Sequence, residues 1–457
     1  MRQAALWQTP ERIAPAVLSR WGCVAADLEV SLPQTIIVGA VMSSMERVET
    51  ALIGGGQAGL AMSYHLAQRG CEHLVLERAR VAERWRSERW DSLHFQFPNW
   101  SLALPGQVYA GDEPDGFAHK DDVVRFIERY AFRIAAPMRS GVNVTALRCA
   151  PSGVGFELTT SQGRIAARHV VVATGPYQRP RLPSWSRELP ADIVQLHARD
   201  YRSPQALPDG AVVVIGSGAS GCQIADELLE AGRRTFLSVG RHRRLPRRYR
   251  GHDVFWWRRE MGELDRTIDD MPPRLRPPPP VVTGVNGGYE VDLRRSAARG
   301  LRLCGHLAGV ADGKLAWADD LQETLRAGDR YYRAFISEID AHVARTGVDV
   351  SQGPDAEGVS VDHAHIAPLA SASTLDLHAE QVGAMIWATG YTLDFSWIAI
   401  PVFDVEGMPQ QRRGTTSVPG LYFLGLHWMH KAKSSFLCGV GEDAAHIVAC
   451  ITGDAPQ

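Results

Sequence analysis

Gly54-Gly55-Gly56-Gln57-Ala58-Gly59 and Gly216-Ser217-Gly218-Ala219-Ser220-Gly221 decide the fold. The first stretch follows the apolar run Val48–Ile53 and the second follows Ala211–Ile215. Each is Gly-x-Gly-x-x-Gly between a predicted strand and a predicted helix, the context that makes this short pattern specific. The glycines permit a tight turn and close backbone approach to a pyrophosphate. The helix that follows offers free N–H groups and its positive dipole end to that anion. Two such units imply two dinucleotides, held so that electrons can pass between them.

Outward from the first turn come a helix over Leu60–Arg69 and a strand over His73–Leu76, ended by Glu77. A carboxylate there accepts hydrogen bonds from both hydroxyls of an unmodified ribose. In the second unit, strand Thr235–Val239 runs into Gly240-Arg241-His242-Arg243-Arg244, with no acid in the place of Glu77. A carboxylate would repel a 2′-phosphate, whereas an arginine pairs with it in bidentate fashion. The first site is therefore assigned to FAD and the second to NADPH, with Gly240 and Arg241 at the 2′-phosphate. The basic run as a whole also reads as a solvated loop.

A second repeat accompanies the first. Strand His169–Ala173 ends at Thr174-Gly175, and strand Ala384–Ala388 ends at Thr389-Gly390. Each glycine turn thus has a downstream Ala-Thr-Gly. The expected fold is α/β, with two Rossmann-like dinucleotide-binding domains, the NADPH domain inserted into the FAD domain, and β-meanders. An extension is expected over 1–45. The FAD domain is expected in two segments, 46–177 and 384–457, with the NADPH domain over 178–383 between them. A three-stranded meander is expected over Val142–Arg148, Gly155–Thr160 and Arg164–Ala167, turning at Ser152-Gly153 and Gln162-Gly163. Within an irregular insert, 243–361, Pro277–Pro280 reads as a stiff linker, Asn286-Gly287-Gly288 as a hairpin turn, Asp312-Gly313 as a turn between two strands, and Leu321–Arg345 as a helix. Trp256 and Trp257 read as core residues.

Composition narrows the class. The chain has 457 residues, 45% hydrophobic, with a formal net charge of -2. That balance gives no drive toward nucleic acid, and no apolar run approaches the roughly 18–20 residues of a membrane span. The seven cysteines are scattered without a Cys-x-x-Cys, which fits a reducing cytoplasm and no metal site. The partners expected are a small-molecule substrate and O2, and a homo-oligomer is compatible with the sequence. The first core strand starts only after Met45, so the preceding residues read as a disordered extension or a start placed too far upstream. Deleting them is expected to leave flavin content and NADPH oxidation intact.

These motifs resemble the flavin-containing monooxygenase superfamily, on the bacterial side near the YUCCA-type enzymes, over roughly residues 46–450. The resemblance places FAD against Gly54, Gly56, Gln57, Ala58, Gly59, Glu77, Arg78, Trp85, Arg86, Val144, Thr174, Gly175 and Gly425. Arg84 stands where Gly-x-Trp-Arg would have its glycine. It places NADPH against Gly216, Ser217, Gly218, Ala219, Ser220, Gly221, Gly240, Arg241, Thr389 and Gly390. The family fingerprint Phe-x-Gly-x-x-x-His-x-x-x-(Tyr/Phe) is matched only by His197 and Tyr201, because Ala191 and Ile193 replace its phenylalanine and glycine. Tyr201 in place of tryptophan leans away from ketone oxygenation.

The resemblance implies hydride transfer from NADPH to flavin N5, then an oxygen adduct at C4a, a C4a-(hydro)peroxyflavin, that oxygenates a nitrogen or sulfur nucleophile. His197, Tyr201 and Gln96, the last near N5, are the expected catalytic residues. His430 and Lys431 are expected at the substrate pocket, ahead of a helix starting near Ser434–Phe436 and aimed at the flavin pyrimidine. A disulfide or quinone reductase, or an oxidase, is the alternative enzyme. The missing Cys-x-x-Cys opposes the dithiol version, and Gly425-Leu426 stands where such reductases often have Gly-Asp. Baeyer–Villiger or oxidatively decarboxylating chemistry and a non-enzymatic flavin sensor are further alternatives.

Overall fold

β1 (Glu46–Ile53) is exposed at its start and fully buried over its last four residues, so it leads into the interior at the first glycine turn. The structure, a computed structural model, describes residues 45–271, 280–350 and 373–454. The expected N-terminal extension and Pro277–Pro279 lie outside the described residues. After the turn, α1 (Gln57–Gln68) buries Ala58–Ser63 and Leu66 against the sheet. β2 (His73–Glu77) returns parallel to β1. α2 (Glu83–Ser87) and the amphipathic α3 (Lys120–Arg133) precede β3 (Met138–Ser140).

The meander forms as β4 (Val144–Cys149), β5 (Phe156–Thr160) and β6 (Gly163–Val172). The third meander strand and the strand ending at Ala173, expected as separate elements, are one strand. β6 pairs antiparallel with β5 along its first half and parallel with β1 over nearly its whole length.

The chain then builds a second, wholly parallel sheet. β7 (Val194–His197), β8 (Ala211–Ile215), β9 (Thr235–Ser238), β13 (Arg302–Cys304) and β17 (Val382–Trp387) stand in the order β7-β17-β8-β9-β13. α4 (Ala219–Glu230) follows β8 through the second glycine turn. The insert supplies β10 (Arg243–Arg244), α5 (Val254–Glu260), the hairpin β11 (Pro280–Thr283) and β12 (Tyr289–Glu290), and α6 (Leu293–Ala298). It continues with β13 (Arg302–Cys304), the pair β14 (Leu307–Ala311) and β15 (Lys314–Trp317), and α7 (Leu321–Thr346). Both expected turns are present, and Asn286, Gly287, Gly288 and Gly313 adopt the positive φ they require.

β16 (Thr374–Asp376) joins β15, and β17 (Val382–Trp387) pairs with both β7 and β8. This corrects the expected boundary at 383/384. Strand 382–387 is central to the second sheet, and the chain leaves that sheet only at Thr389. It rejoins the first sheet with β18 (Gln411–Arg412), β19 (Thr415–Thr416) and β20 (Leu421–Phe423), giving nine strands with β20 parallel to β6. α8 (Val440–Thr452) packs on α1. It starts after Gly439, later than expected, because the Ser434 hydroxyl accepts the His430 and Lys431 N–H groups and holds the chain in turns there.

Each sheet separates two apolar layers. Leu52, Val75 and Val171 face α1, α3 and α8 on one side of the first; Ile53, Leu76 and Val172 join Phe423 of the same sheet in packing on Phe395 and Ile398 on the other. The second sheet does the same with Val212 and Leu237 against Val213 and Phe236. No described helix is long and apolar enough to cross a membrane.

Candidate cofactor and active site

The two glycine turns are built alike. Gly54 N–H donates to Leu76 O at 2.9 Å, and Gly216 N–H to Ser238 O at 3.1 Å. A Cβ on Gly54 would stand 2.5 Å from Ala173 O; one on Gly216 would stand 2.6 Å from Ala388 O. Each Ala-Thr-Gly therefore abuts its own glycine turn. A Cβ on Gly59 would reach 1.9 Å from Gly54 O, and one on Gly221 1.8 Å from Gly216 O. The first and third glycines are thus required by the protein's own backbone.

The middle glycines differ. Nothing lies within 4 Å of a Cβ on Gly56 or Gly218. Each is the N-cap of its helix, and neither helix has a side-chain cap. By contrast, Asp253 and Asp292 cap α5 and α6. Two uncapped helix N-termini, each preceded by a glycine with open space over it, are the arrangement that accepts a dinucleotide pyrophosphate. The residues present fit FAD and NADPH on this ground.

Strand ends distinguish the two cradles. Glu77 accepts from Gly55 N–H at 2.7 Å and Ala79 N–H at 2.9 Å, one bond to each oxygen. Lone pairs remain for ribose hydroxyls. Val142 N–H donates to Glu77 O, bringing the start of β4, with Val144, beside this end. Register pairs Ile53 with Leu76 and Ile215 with Ser238, so Val239, buried and apolar, is the counterpart of Glu77. Ser217 Oγ and Gly240 exchange hydrogen bonds of 2.9 and 3.0 Å across the second turn. Arg241 is exposed and makes no ion pair among the described residues.

Three other arginines of the basic stretch, Arg243, Arg244 and Arg247, are buried. Arg244, 3% exposed, bonds Glu290 at 2.8 Å, Asp292 at 2.8 Å and Asp329 at 2.9 Å. Arg247 forks onto Asp253 at 2.8 and 2.6 Å and donates to Gln96 O at 2.9 Å. Arg243 donates to Tyr331 Oη. These arginines organise the insert, leaving Arg241 as the strand-end cation.

Where the two sheets meet, the linkers pair. Tyr391–Thr392 runs antiparallel to Arg179–Pro180. Gly390 O accepts from Arg181 N–H at 3.0 Å and from His197 Nε2 at 3.0 Å. His197 Nδ1 accepts Arg199 N–H at 3.1 Å. A carbonyl only accepts and an amide N–H only donates, so the imidazole is neutral with its proton on Nε2. Burial holds it below the usual histidine range. The Tyr391 ring lies edge-on to His197 and to Tyr177, which meets His427. Thr174 Oγ1 accepts from Gln178, whose amide also reaches Gly175 O and Asp394 N–H. Thr389 Oγ1 donates to Arg181 O.

Tyr201 is fully buried in the core of the second sheet, and its hydroxyl donates to Glu227 Oε2 at 2.9 Å. It packs and anchors; it does not face open space as a catalytic group must. Lys431 bonds Asp265 at 2.7 Å and Glu442 at 2.8 Å, and Lys433 shares both acids. That network docks residues 264–268 onto 430–433, with Ile268 N–H on His430 O. The pocket role expected of Lys431 is thereby corrected.

Around the first cradle, Gln57 Nε2 donates to Ser435 O at 2.7 Å, and a Cβ on Gly425 would stand 2.6 Å from Ala58 Cβ. The C-terminal segment therefore closes on the glycine turn. Trp85 is sandwiched between Phe95 and the Arg89 guanidinium, which also covers Tyr177. Arg86 pairs with Glu128, Arg78 is exposed, and Arg84 ties Glu88 to Tyr177 O, which gives the unexpected arginine a structural reason. Gln96 is half-buried beside Phe97, whose ring stacks on Phe255 at 4.1 Å and meets Phe436 at 5.2 Å. Sequence patterns do not reveal this aromatic wall, because its members lie about 160 and 180 residues apart in separate elements. Trp257 is fully buried, as expected of core; Trp256 is half-buried and stacks on His252.

A family model described as pyridine nucleotide-disulphide oxidoreductase matches residues 51–251. An uncharacterized CzcO-like oxidoreductase of Geobacillus kaustophilus is 33% identical over 88% of this chain and 97% of its own. The indole-3-pyruvate monooxygenase YUCCA1 of rice is 29% identical over 43% of this chain and 50% of its own. A flavin-containing monooxygenase from Stenotrophomonas maltophilia shares the fold with a TM-score of 0.63, at 19% identity over 90% of this chain and 99% of that one. The chain belongs to the family of the CzcO-like oxidoreductases and shares its fold with a flavin-containing monooxygenase.

Proposed function

We propose that this CzcO-like oxidoreductase is a member of the flavin-containing monooxygenase superfamily, an FAD-dependent, NADPH-consuming monooxygenase that inserts one oxygen atom from O2 into a nitrogen or sulfur nucleophile of a small molecule. In this reading the two sheets are two Rossmann-like domains, the NADPH domain inserted into the FAD domain. Bound flavin supplies the route by which two electrons from NADPH reach O2. The chain's own residues position and exclude. Gly56 and Gly218 let backbone approach the two pyrophosphates, Glu77 holds a ribose and Arg241 a 2′-phosphate. Gln57 fixes the Ser435 loop over the first cradle. His197 locks the paired linkers, keeping water from the junction. Phe97, Phe255 and Phe436 give the reacting region an apolar wall.

The observation that carries the oxygenase over a dithiol reductase is the lack of a Cys-x-x-Cys among the seven cysteines. A reductase needs a reactive thiolate. Burial pushes Cys438 up to about 11 and Cys304 up to about 12, and raises Cys222 further.

The test is rapid mixing of NADPH-reduced holoenzyme with O2. A third flavin spectrum should appear between the reduced and oxidised ones and decay faster with a competent amine or sulfide. Product formed under 18O2 should carry one labelled atom. Direct reoxidation under every ligand condition, with all electrons in peroxide, a disulfide or a quinone, would establish the reductase or oxidase instead.

A further inference from the structure

Between α4 and the β11–β12 hairpin lies a cavity of about 270 Å3 lined by twelve of the described residues, none from either glycine turn. One wall is a single face of α4: Gln223, Glu227 and Glu230, at i, i+4 and i+7. The facing wall carries Trp90 from the segment after α2, and Asn286 and Tyr289 from the β11–β12 hairpin.

Gln223 is 6% exposed, and its Nε2 donates to Val282 O at 2.7 Å. A carbonyl can only accept, so this bond fixes the amide's orientation. The side-chain oxygen is buried without a partner among the described residues. A buried amide oxygen in that position calls for a hydrogen-bond donor. Glu227 accepts Ser92 Oγ at 2.7 Å on one oxygen and Tyr201 Oη on the other, leaving each with a free lone pair. Glu230 is at the rim, with Arg299 3.7 Å away; Arg299 is not a lining residue, and among the described residues no lysine or arginine lines the cavity. Tyr289 turns its hydroxyl away, onto Asp226.

The cavity thus offers acceptors and negative charge with no resident cation, beside an indole that is 4% exposed. An indole face favours a cation held close to it. We propose that this cavity binds a small organic ammonium, a primary or secondary amine with an apolar substituent, whose N–H groups reach Gln223 Oε1 and the Glu227 and Glu230 carboxylates. Its occupant bridges α4, the segment after α2 and the β11–β12 hairpin. Ser92 leads along the chain to Gln96 and Phe97, and Tyr201 follows His197. None of the cofactor assignments is needed for this site.

The experiment is calorimetric titration of the oxidised holoenzyme, without NADPH, with phenethylammonium chloride, and with 3-phenylpropionate as an anion of similar shape. Saturable one-to-one binding of the cation alone is expected. Gln223→Leu should raise its Kd about tenfold or more, as loss of a charge-assisted bond requires, and Glu230→Gln about threefold, with flavin content unchanged in both. Glu230 is 43% exposed, so its variant keeps the fold and decides the matter if Gln223→Leu does not fold. No saturable binding, equal binding of the anion, or wild-type affinity in the deciding variant would overturn the proposal. The last outcome would place the amine elsewhere, as a substrate at the flavin.

Discussion

His197 Nε2 lies 3.0 Å from the carbonyl oxygen of Gly390, 193 residues further along the chain. The bond joins the end of β7, where the chain enters the second sheet, to the linker by which it leaves. Both ends of the inserted unit are therefore fastened at one point, beside the paired linkers.

His197→Phe removes this bond while keeping a ring of similar size. Gly390 O retains Arg181 N–H, so the loss should be modest, about 1 kcal/mol of unfolding free energy by denaturant titration. Flavin reduction by NADPH should slow several-fold, because the linkers set how the two sheets meet. A variant with unaltered reduction kinetics would limit His197 to packing.

The same histidine sets a pH dependence. Burial lowers it from its ordinary value of 6.5, so the unfolded chain takes up the proton first as pH falls. Its contribution is complete above about pH 7 and is lost as pH drops through 6.5 toward the folded-state value. Burial raises Glu227 and Glu290, whose contributions run in the opposite sense. The stability difference between wild type and His197→Phe isolates the one group. It should narrow between about pH 7.5 and pH 5.5, and a constant difference would contradict the neutral imidazole.

The third glycines separate the two cofactors. Gly59→Ala places a methyl 1.9 Å from Gly54 O and should yield protein without flavin. Gly221→Ala makes the same clash at 1.8 Å in the other turn. It should keep its flavin, accept electrons from dithionite and fail to accept them from NADPH. Flavin loss in Gly221→Ala, measured by absorbance per protein, would reverse the assignment of the turns.

Arg241→Ala should raise KM for NADPH about tenfold, from loss of a charge-assisted contact of about 1.5–3 kcal/mol, and leave NADH kinetics unchanged. Equal loss with both coenzymes would show that Arg241 does not read the 2′-phosphate.

Arg244→Met should destabilise the protein by about 3–5 kcal/mol, since three buried carboxylates lose their common partner. Hydrogen exchange should rise first in α6, α7 and the β11–β12 hairpin, which carry Asp292, Asp329 and Glu290. Uniform exchange across both sheets would mean that the insert does not unfold on its own.

Local chemistry makes much of this protein legible from its sequence. Both strand–turn–helix units and Glu77 follow from glycine conformation and apolar periodicity, which act within about thirty residues. The repeated Ala-Thr-Gly foretells that each such strand end closes its own turn, and it points to the insertion. Only the tertiary structure decided which strands belong together at 382–387, because a parallel strand can pair with any exposed edge in register. It also decided that Arg243, Arg244 and Arg247 are buried. A charged run reads as solvated until its partners are known, and Asp329 stands 85 residues from Arg244. Spacing places Tyr201 at the junction; packing places it in the core. Spacing fixes where a backbone runs; neighbours distant in sequence fix which way its side chain is turned.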